Sequence, residues 1–116
     1  MQHDPRAYLW DARESALAIQ SFVADLDINS YSLNLMAQAA TERKFEIIGE
    51  ALNQLSKADP LIAAKIPELA QIVSFRNQLI HGYSKIKPST VWSVVSSSLP
   101  SLLQKVNELL EELGHD

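Results

Sequence analysis

The chain has 116 residues, no cysteine and a formal net charge of −4. This length fits one domain, residues 1–116, built around one hydrophobic core. The lack of cysteine excludes disulfides, thiolate catalysis and zinc sites built on cysteine. The negative charge argues against a surface that is basic throughout, as in many nucleic-acid-binding proteins.

Hydrophobic residues make up 47% of the sequence, but no apolar run approaches the ~20 residues that a membrane-spanning helix needs. The first residues, "MQHDPRAYLWDARES", have neither the basic nor the apolar region of a secretion signal. We therefore expect a soluble, cytoplasmic protein without a membrane partner.

The first half of the chain predicts two long helices. Asp4 and Pro5 mark the start of the first, because an acidic residue is a good N-cap and proline is favoured at the first helical position. Apolar residues then recur in steps of three and four, until "DLDINSYS" interrupts the pattern. Ser30 or Ser32 is the expected cap of the second helix, which extends to about Ser56.

Gly49 lies in the middle of this second helix, where glycine costs about 1 kcal/mol relative to alanine. Two further small residues, Ala40 and Ala51, lie nearby. We interpret Gly49 as a point of close approach for another helix rather than as part of a functional site.

The second half predicts a short helix, a motif-bearing helix over residues 69–83 and a last long helix. Asp59-Pro60 and Ile66-Pro67 are two restart signals, Gly82 is a natural stop, and Pro88 opens the last helix. Pro100 lies inside the last apolar repeat and should kink or restart that helix. Long helices with short connections predict an all-α antiparallel bundle of about four to five helices.

The stretch "RNQLIHGYSK" places an arginine where the helical pattern favours an apolar residue. Arg76 falls near the middle of the apolar face, while Asn77 and His81, four residues apart, share its edge. Burying an unpaired guanidinium costs several kcal/mol. Arg76 therefore either forms a structural salt bridge, with Glu46 or Glu50 as candidates, or faces a cleft shared between subunits.

His81 favours the second interpretation, because histidine exchanges protons near neutral pH. Residues 69–107 contain four basic residues and no Asp or Glu, a distribution that could attract a polyanion. Cleavage of a phosphodiester needs a base, an acid and positive charge on the phosphorane. One histidine cannot easily be acid and base at once, so a symmetric dimer would supply two.

Plainer interpretations remain open for each feature. A lone histidine in a bundle is usually structural, and the acid-free stretch includes the uncharged run "SVVSSSLPS". A metal site is disfavoured, because no clear set of His and carboxylate ligands surrounds His81 in the sequence.

The octapeptide "RNQLIHGY" resembles the Arg-X4-His-X-Tyr signature of the HepT-like branch of the HEPN domains. "ERKFEIIGEAL" and "VWSVVSSSLPSLL" resemble the patterns that flank it in that family. The resemblance implies a HEPN-type bundle that dimerises around the motif helix. It also implies a metal-independent endoribonuclease without a cofactor, the toxin of a type VII HEPN/MNT toxin–antitoxin pair.

Carried over by position, the resemblance makes His81 the acid/base residue and Arg76 the contact to the phosphate and the transition state. Asn77 would orient the substrate or the arginine. Lys85 and Lys87, in the same acid-free stretch, are the candidates for contacts to RNA phosphates.

Tyr83 would be the residue to which a minimal nucleotidyltransferase, the cognate antitoxin, attaches AMP. The implied partners are RNA, this antitoxin and a second copy of the chain, with a larger hetero-oligomer as a further possibility. Two alternatives belong to other functional classes: a non-catalytic subunit that presents a nucleotide or substrate to a nucleotidyltransferase, and a purely structural helical adaptor.

Overall fold

The computed structural model describes residues 4–82 and 86–114. All regular structure in these two ranges is helical, which confirms the all-α prediction. The helices are α1 (Pro5–Val23), α2 (Ile28–Leu33), α3 (Leu35–Ala58), α4 (Pro60–Ala63), α5 (Leu69–His81), α6 (Pro88–Ser93) and α7 (Leu99–Leu113). No helix in the described ranges is both long and apolar enough to cross a membrane.

Three predicted boundaries are confirmed. Asp4 caps α1, where its carboxylate accepts a hydrogen bond from the backbone N–H of Arg6 at 2.9 Å. At the end of α5, Gly82 follows His81 with φ 60° and ψ 32°, a left-handed conformation that glycine adopts without strain. Pro88 is the first residue of α6.

The predicted cap of the second long helix is wrong. Asn34 caps α3, and its side-chain oxygen accepts from the backbone N–H of Ala37 at 2.9 Å. Ser30 instead forms a capping box with Asp27 that begins the additional short helix α2. The backbone N–H of Ser30 donates to the Asp27 carboxylate and, as the main cause, lowers the pKa of that group.

Pro100 restarts the last helix, as predicted, without a loop. Because proline has no N–H, the carbonyl four residues earlier loses its helical partner. The backbone widens there into a π-helical turn, Val94–Ser98, in which the N–H of Leu99 donates to the carbonyl of Val94. This turn joins α6 to α7, so helical structure continues from Pro88 to Leu113.

The core lies between the four long helices, with α3 packed against both α1 and α5 and α1 packed against α7. Phe45 of α3 and Phe75 of α5 meet edge to face, with ring centroids 5.2 Å apart, a favoured aromatic arrangement. The fully buried side chains of the core include Leu9, Ile19, Tyr31, Phe45, Ile48, Leu52, Leu55, Ile72, Leu99, Leu102, Leu109 and Leu110.

Gly49 is the point where α3 comes closest to the motif helix. A Cβ atom at this position would collide with the Cβ atom of Arg76 and would lie 2.6 Å from its Cγ atom. The predicted role of Gly49 in close helix approach is therefore confirmed. The neighbour that requires the glycine is the side-chain stem of the unusual arginine.

We expect Gly49→Ala to lower the free energy of unfolding in urea. Alanine gains about 1 kcal/mol of helix propensity, but overpacking a tight contact costs about 1–3 kcal/mol, and both colliding atoms belong to Arg76. In an Arg76→Gly background, which removes these atoms, the same substitution should become stabilising. Stabilisation by Gly49→Ala in the wild-type background would contradict the contact.

Candidate active site

The guanidinium of Arg76 is held by two neighbours. Its Nη2 atom donates to Oε1 of Glu50 at 3.0 Å, and its Nη1 atom donates to Oδ1 of Asn77 at 2.8 Å. Nε is buried and has no hydrogen-bond partner among the described residues. Since each terminal nitrogen carries two N–H groups, one remains on each for a further acceptor.

Of the two candidates from the sequence, Glu46 and Glu50, it is Glu50 that forms the salt bridge with Arg76. Glu46, one turn earlier on α3, accepts instead from Nη1 of Arg43 at 3.1 Å. The Arg76 side chain is 22% exposed and that of Glu50 is 49% exposed, so water screens their attraction. Such partly exposed pairs contribute only about 0–1 kcal/mol, which makes a purely structural role for Arg76 a weak explanation of its position.

Arg76 lines a groove of about 370 Å³ between α1, α3 and α5, which we call the Arg76 groove. Its charged side chains are those of Asp11, Glu46 and Glu50 against those of Arg43 and Arg76. Residues 69–107 contain no Asp or Glu, but their surroundings in the fold do include acidic residues. Helices α1 and α3 bring three carboxylates to this side of the motif helix.

His81 lies on another side of α5. Five residues of helix separate Arg76 and His81 by about 140° around the axis and about 7.5 Å along it. His81 is exposed at the last residue of α5 and does not line the Arg76 groove. Asn77 is exposed on the turn before His81 and contacts Arg76, so it lies between the two.

The flank of α5 that faces α6 is uncharged. A shallow groove of about 240 Å³ lies there, lined by Gln71, Ser74, Phe75, Gln78, Thr90 and Val94. Ser74 lies seven residues, about two turns, before His81 and shares its side of the helix. This groove is therefore uncharged, whereas Glu42 of α3 lines a separate pocket with Gln78 and Gly82 at the end of α5.

Two of the predicted site residues, Tyr83 and Lys85, lie outside the described residues. Lys87 is exposed and directly precedes Pro88, the first residue of α6. Its neighbours Ile86 and Pro88 line a small pocket together with Gly82, so Lys87 lies near the end of the motif helix.

As for metal ligands, the described part of the chain holds no group of three His, Asp or Glu side chains placed to bind an ion. The hydrogen bonds of Arg76 to Glu50 and Asn77 define the directions of its remaining terminal N–H donors.

Comparisons with known proteins identify relatives along almost the whole chain. The family model described as "Ribonuclease HepT-like" matches residues 12–109. "Putative RNase MJ1380" of Methanocaldococcus jannaschii is 33% identical over 107 residues, which cover 90% of this chain and 95% of that protein. "Probable ribonuclease HepT" of Thermococcus cleftensis is 28% identical over 109 residues, 94% of this chain and 98% of that protein. No solved structure gives a significant match.

We expect Arg76→Met to leave the fold intact. Methionine keeps an unbranched stem over Gly49, and the lost pair is half-exposed. The free energy of unfolding in urea should therefore change by no more than about 1 kcal/mol. Arg43→Met, which removes the neighbouring Arg43–Glu46 pair, is the matched control. A loss of several kcal/mol for Arg76→Met alone would mean that Arg76 is a structural residue.

Proposed function

This chain belongs to the ribonuclease HepT-like family, and from that premise we propose that it is a metal-independent endoribonuclease whose active site is completed by a second copy of the chain. The observation that carries this proposal is the state of Arg76. Its guanidinium is fixed by Glu50 and Asn77 and still has an N–H donor on each terminal nitrogen. Each of these donors can bind a phosphate oxygen.

In the proposed reaction, the RNA supplies its own nucleophile. His81 removes the proton of a ribose 2′-hydroxyl, and the resulting oxygen attacks the adjacent phosphorus. The bond from phosphorus to the 5′-oxygen breaks, and a second histidine gives that oxygen a proton. The products are a 2′,3′-cyclic phosphate and a 5′-hydroxyl end. Arg76 stabilises the negative charge that develops on the phosphorane.

The need for a second copy rests first on the direction of the motif side chains. Arg76 and His81 lie about 140° apart around α5, as the helical repeat requires. One His81 can act as the base or as the acid in a single turnover, but not as both at once. Two motif helices facing each other would supply both histidines and two arginines to one cleft.

Exposed apolar side chains support the same proposal. Leu33, Leu35 and Met36 are 85%, 77% and 85% exposed at the junction of α2 and α3. One turn further along α3, Gln38 lines a pocket with Gly82, so these residues lie at the His81 end of the bundle. A cluster of large exposed apolar side chains is typical of a surface that another protein covers.

The proposed physiological role is that of a cytoplasmic toxin neutralised by its partner. In the family that the motif resembles, a minimal nucleotidyltransferase transfers AMP to the motif tyrosine, here Tyr83. The modification would add a bulky, negatively charged phosphodiester two residues after His81, where it would exclude and repel RNA phosphates. Lys85 and Lys87 are the proposed contacts to those phosphates.

The acidic lining of the Arg76 groove favours one alternative function. Three carboxylates near Arg76 would repel a long polyanion. A non-catalytic subunit that presents a nucleotide or another substrate to a nucleotidyltransferase would not need to bind RNA along this side.

We expect wild-type protein with unmodified Tyr83 to cleave RNA in the presence of EDTA, and His81→Ala to show no cleavage. Because His81 is exposed at the last residue of α5, the variant should keep its helicity. We also expect it to remain a dimer, and its oligomeric state should be measured beside its activity. An RNA with a 2′-deoxy sugar at the cleavage position should resist the wild type, since the nucleophile is missing. Equal cleavage by wild type and His81→Ala would contradict the proposal, and no cleavage by either would favour the non-catalytic alternative.

Tyr83→Phe should escape neutralisation by the nucleotidyltransferase. After co-expression with that enzyme, intact-mass spectrometry should find AMP on the wild type and none on the variant, because phenylalanine has no hydroxyl acceptor. The variant should remain an active ribonuclease after the same co-expression. An AMP adduct on Tyr83→Phe would place the modification on another residue.

A further inference from the structure

We propose that Glu50 is a positioning residue of this site, which holds the guanidinium of Arg76 in the orientation that receives a phosphate. The inference rests on the proposed function, because it assigns Arg76 the phosphate contact. Glu50 lies outside the motif, on α3, and precedes Arg76 by 26 residues in the sequence.

Two consecutive residues of α3 hold the two ends of the Arg76 side chain. Gly49 leaves room for the stem, whose Cβ and Cγ atoms occupy the space that a side chain at that position would need. Glu50 accepts from Nη2 at 3.0 Å. A long side chain that would otherwise sample many rotamers is therefore fixed at its base and at its head by one turn of one helix.

Asn77 completes the arrangement by accepting from Nη1 at 2.8 Å. Because the guanidinium is planar, hydrogen bonds to both terminal nitrogens define its plane. The two remaining terminal N–H groups then have fixed directions, and each can donate to a phosphate oxygen. Donors that are already oriented stabilise a transition state without a reorganisation cost.

The charge of Glu50 has the opposite effect, because a carboxylate next to Arg76 repels a phosphate. Exposure decides which effect dominates. Since the Glu50 side chain is 49% exposed, water and salt screen its charge, whereas the direction of its hydrogen bond to Arg76 is unaffected by screening. We therefore assign Glu50 a net favourable role in catalysis.

The chain offers a matched control for this assignment. Glu46 lies one turn before Glu50 on α3 and forms its own pair with Arg43 at 3.1 Å. The side chains of both glutamates line the Arg76 groove, but the guanidinium of Arg76 donates its hydrogen bonds to Glu50 and Asn77. Glu46→Ala removes the same charge from the same surface and leaves Arg76 in place.

The test compares the steady-state kinetics of RNA cleavage for wild type, Glu50→Ala, Glu50→Gln and Glu46→Ala. Misplacing a catalytic group can cost up to ~100-fold in rate, and we expect Glu50→Ala to lower kcat about tenfold or more with a smaller change in KM. Glutamine keeps an acceptor oxygen, so Glu50→Gln should retain most of the wild-type kcat. Glu46→Ala should keep the wild-type kcat, because Arg76 keeps both of its hydrogen-bond partners.

Arginine side-chain nitrogen NMR of the same proteins gives a readout that does not depend on activity. Restricted rotation of the guanidinium should give separate signals for Nη1 and Nη2 of Arg76 in the wild type and in Glu50→Gln. The two signals should merge in Glu50→Ala, where the group rotates faster. Merged signals in the wild type would overturn the positioning role whatever the activity.

The kinetic outcomes distinguish failure of the positioning role of Glu50 from failure of the proposed ribonuclease activity. Faster cleavage by both Glu50 variants would mean that Glu50 competes with the phosphate, and an unchanged kcat in both would mean that it serves only as a surface pair. Either result overturns the inference while the ribonuclease activity stands. If the wild type does not cleave RNA but gives separate Nη1 and Nη2 signals for Arg76, the proposed function is overturned. The orientation of Arg76 by Glu50 would still stand.

Discussion

The packing of the Arg76 stem against Gly49 is the contact on which the rest of the site depends. A side chain at residue 49 would collide with it, so α3 and α5 can approach this closely only because the residue is glycine. The same approach brings Phe45 and Phe75 into edge-to-face contact about one turn away. It also places Glu50 beside the guanidinium, which allows a cation to sit on an otherwise apolar helix face.

The sequence predicted those features that depend on neighbouring residues in the chain. The start of α1 at Asp4 and the end of α5 before Gly82 follow from local capping chemistry. Ser30 was assigned wrongly because two caps compete within a few residues, and the capping box with Asp27 begins a short helix that the apolar pattern did not indicate. The choice between Glu46 and Glu50 as partner of Arg76 required the register of α3 against α5, which no local pattern specifies.

The distribution of charge around the motif illustrates the same limit. Residues 69–107 have no acid, yet Asp11, Glu46 and Glu50 reach the Arg76 side of α5 from other helices. One side of the motif helix is mixed in charge and holds Arg76. On the other side, the groove lined by Ser74 is uncharged, and Glu42 lies in the pocket beside Gly82. A site that needs both residues at one phosphate is most simply completed by a second copy of the chain.

Mixed dimers would show whether the two copies share one active site. Differently tagged wild-type and His81→Ala chains would be co-expressed, purified through both tags and compared with the two homodimers in RNA cleavage. If the two histidines serve one reaction as acid and base, the mixed dimer should be as inactive as the His81→Ala homodimer. Cleavage by the mixed dimer at half the wild-type rate would mean that each chain carries a complete site and would contradict a site shared between two copies.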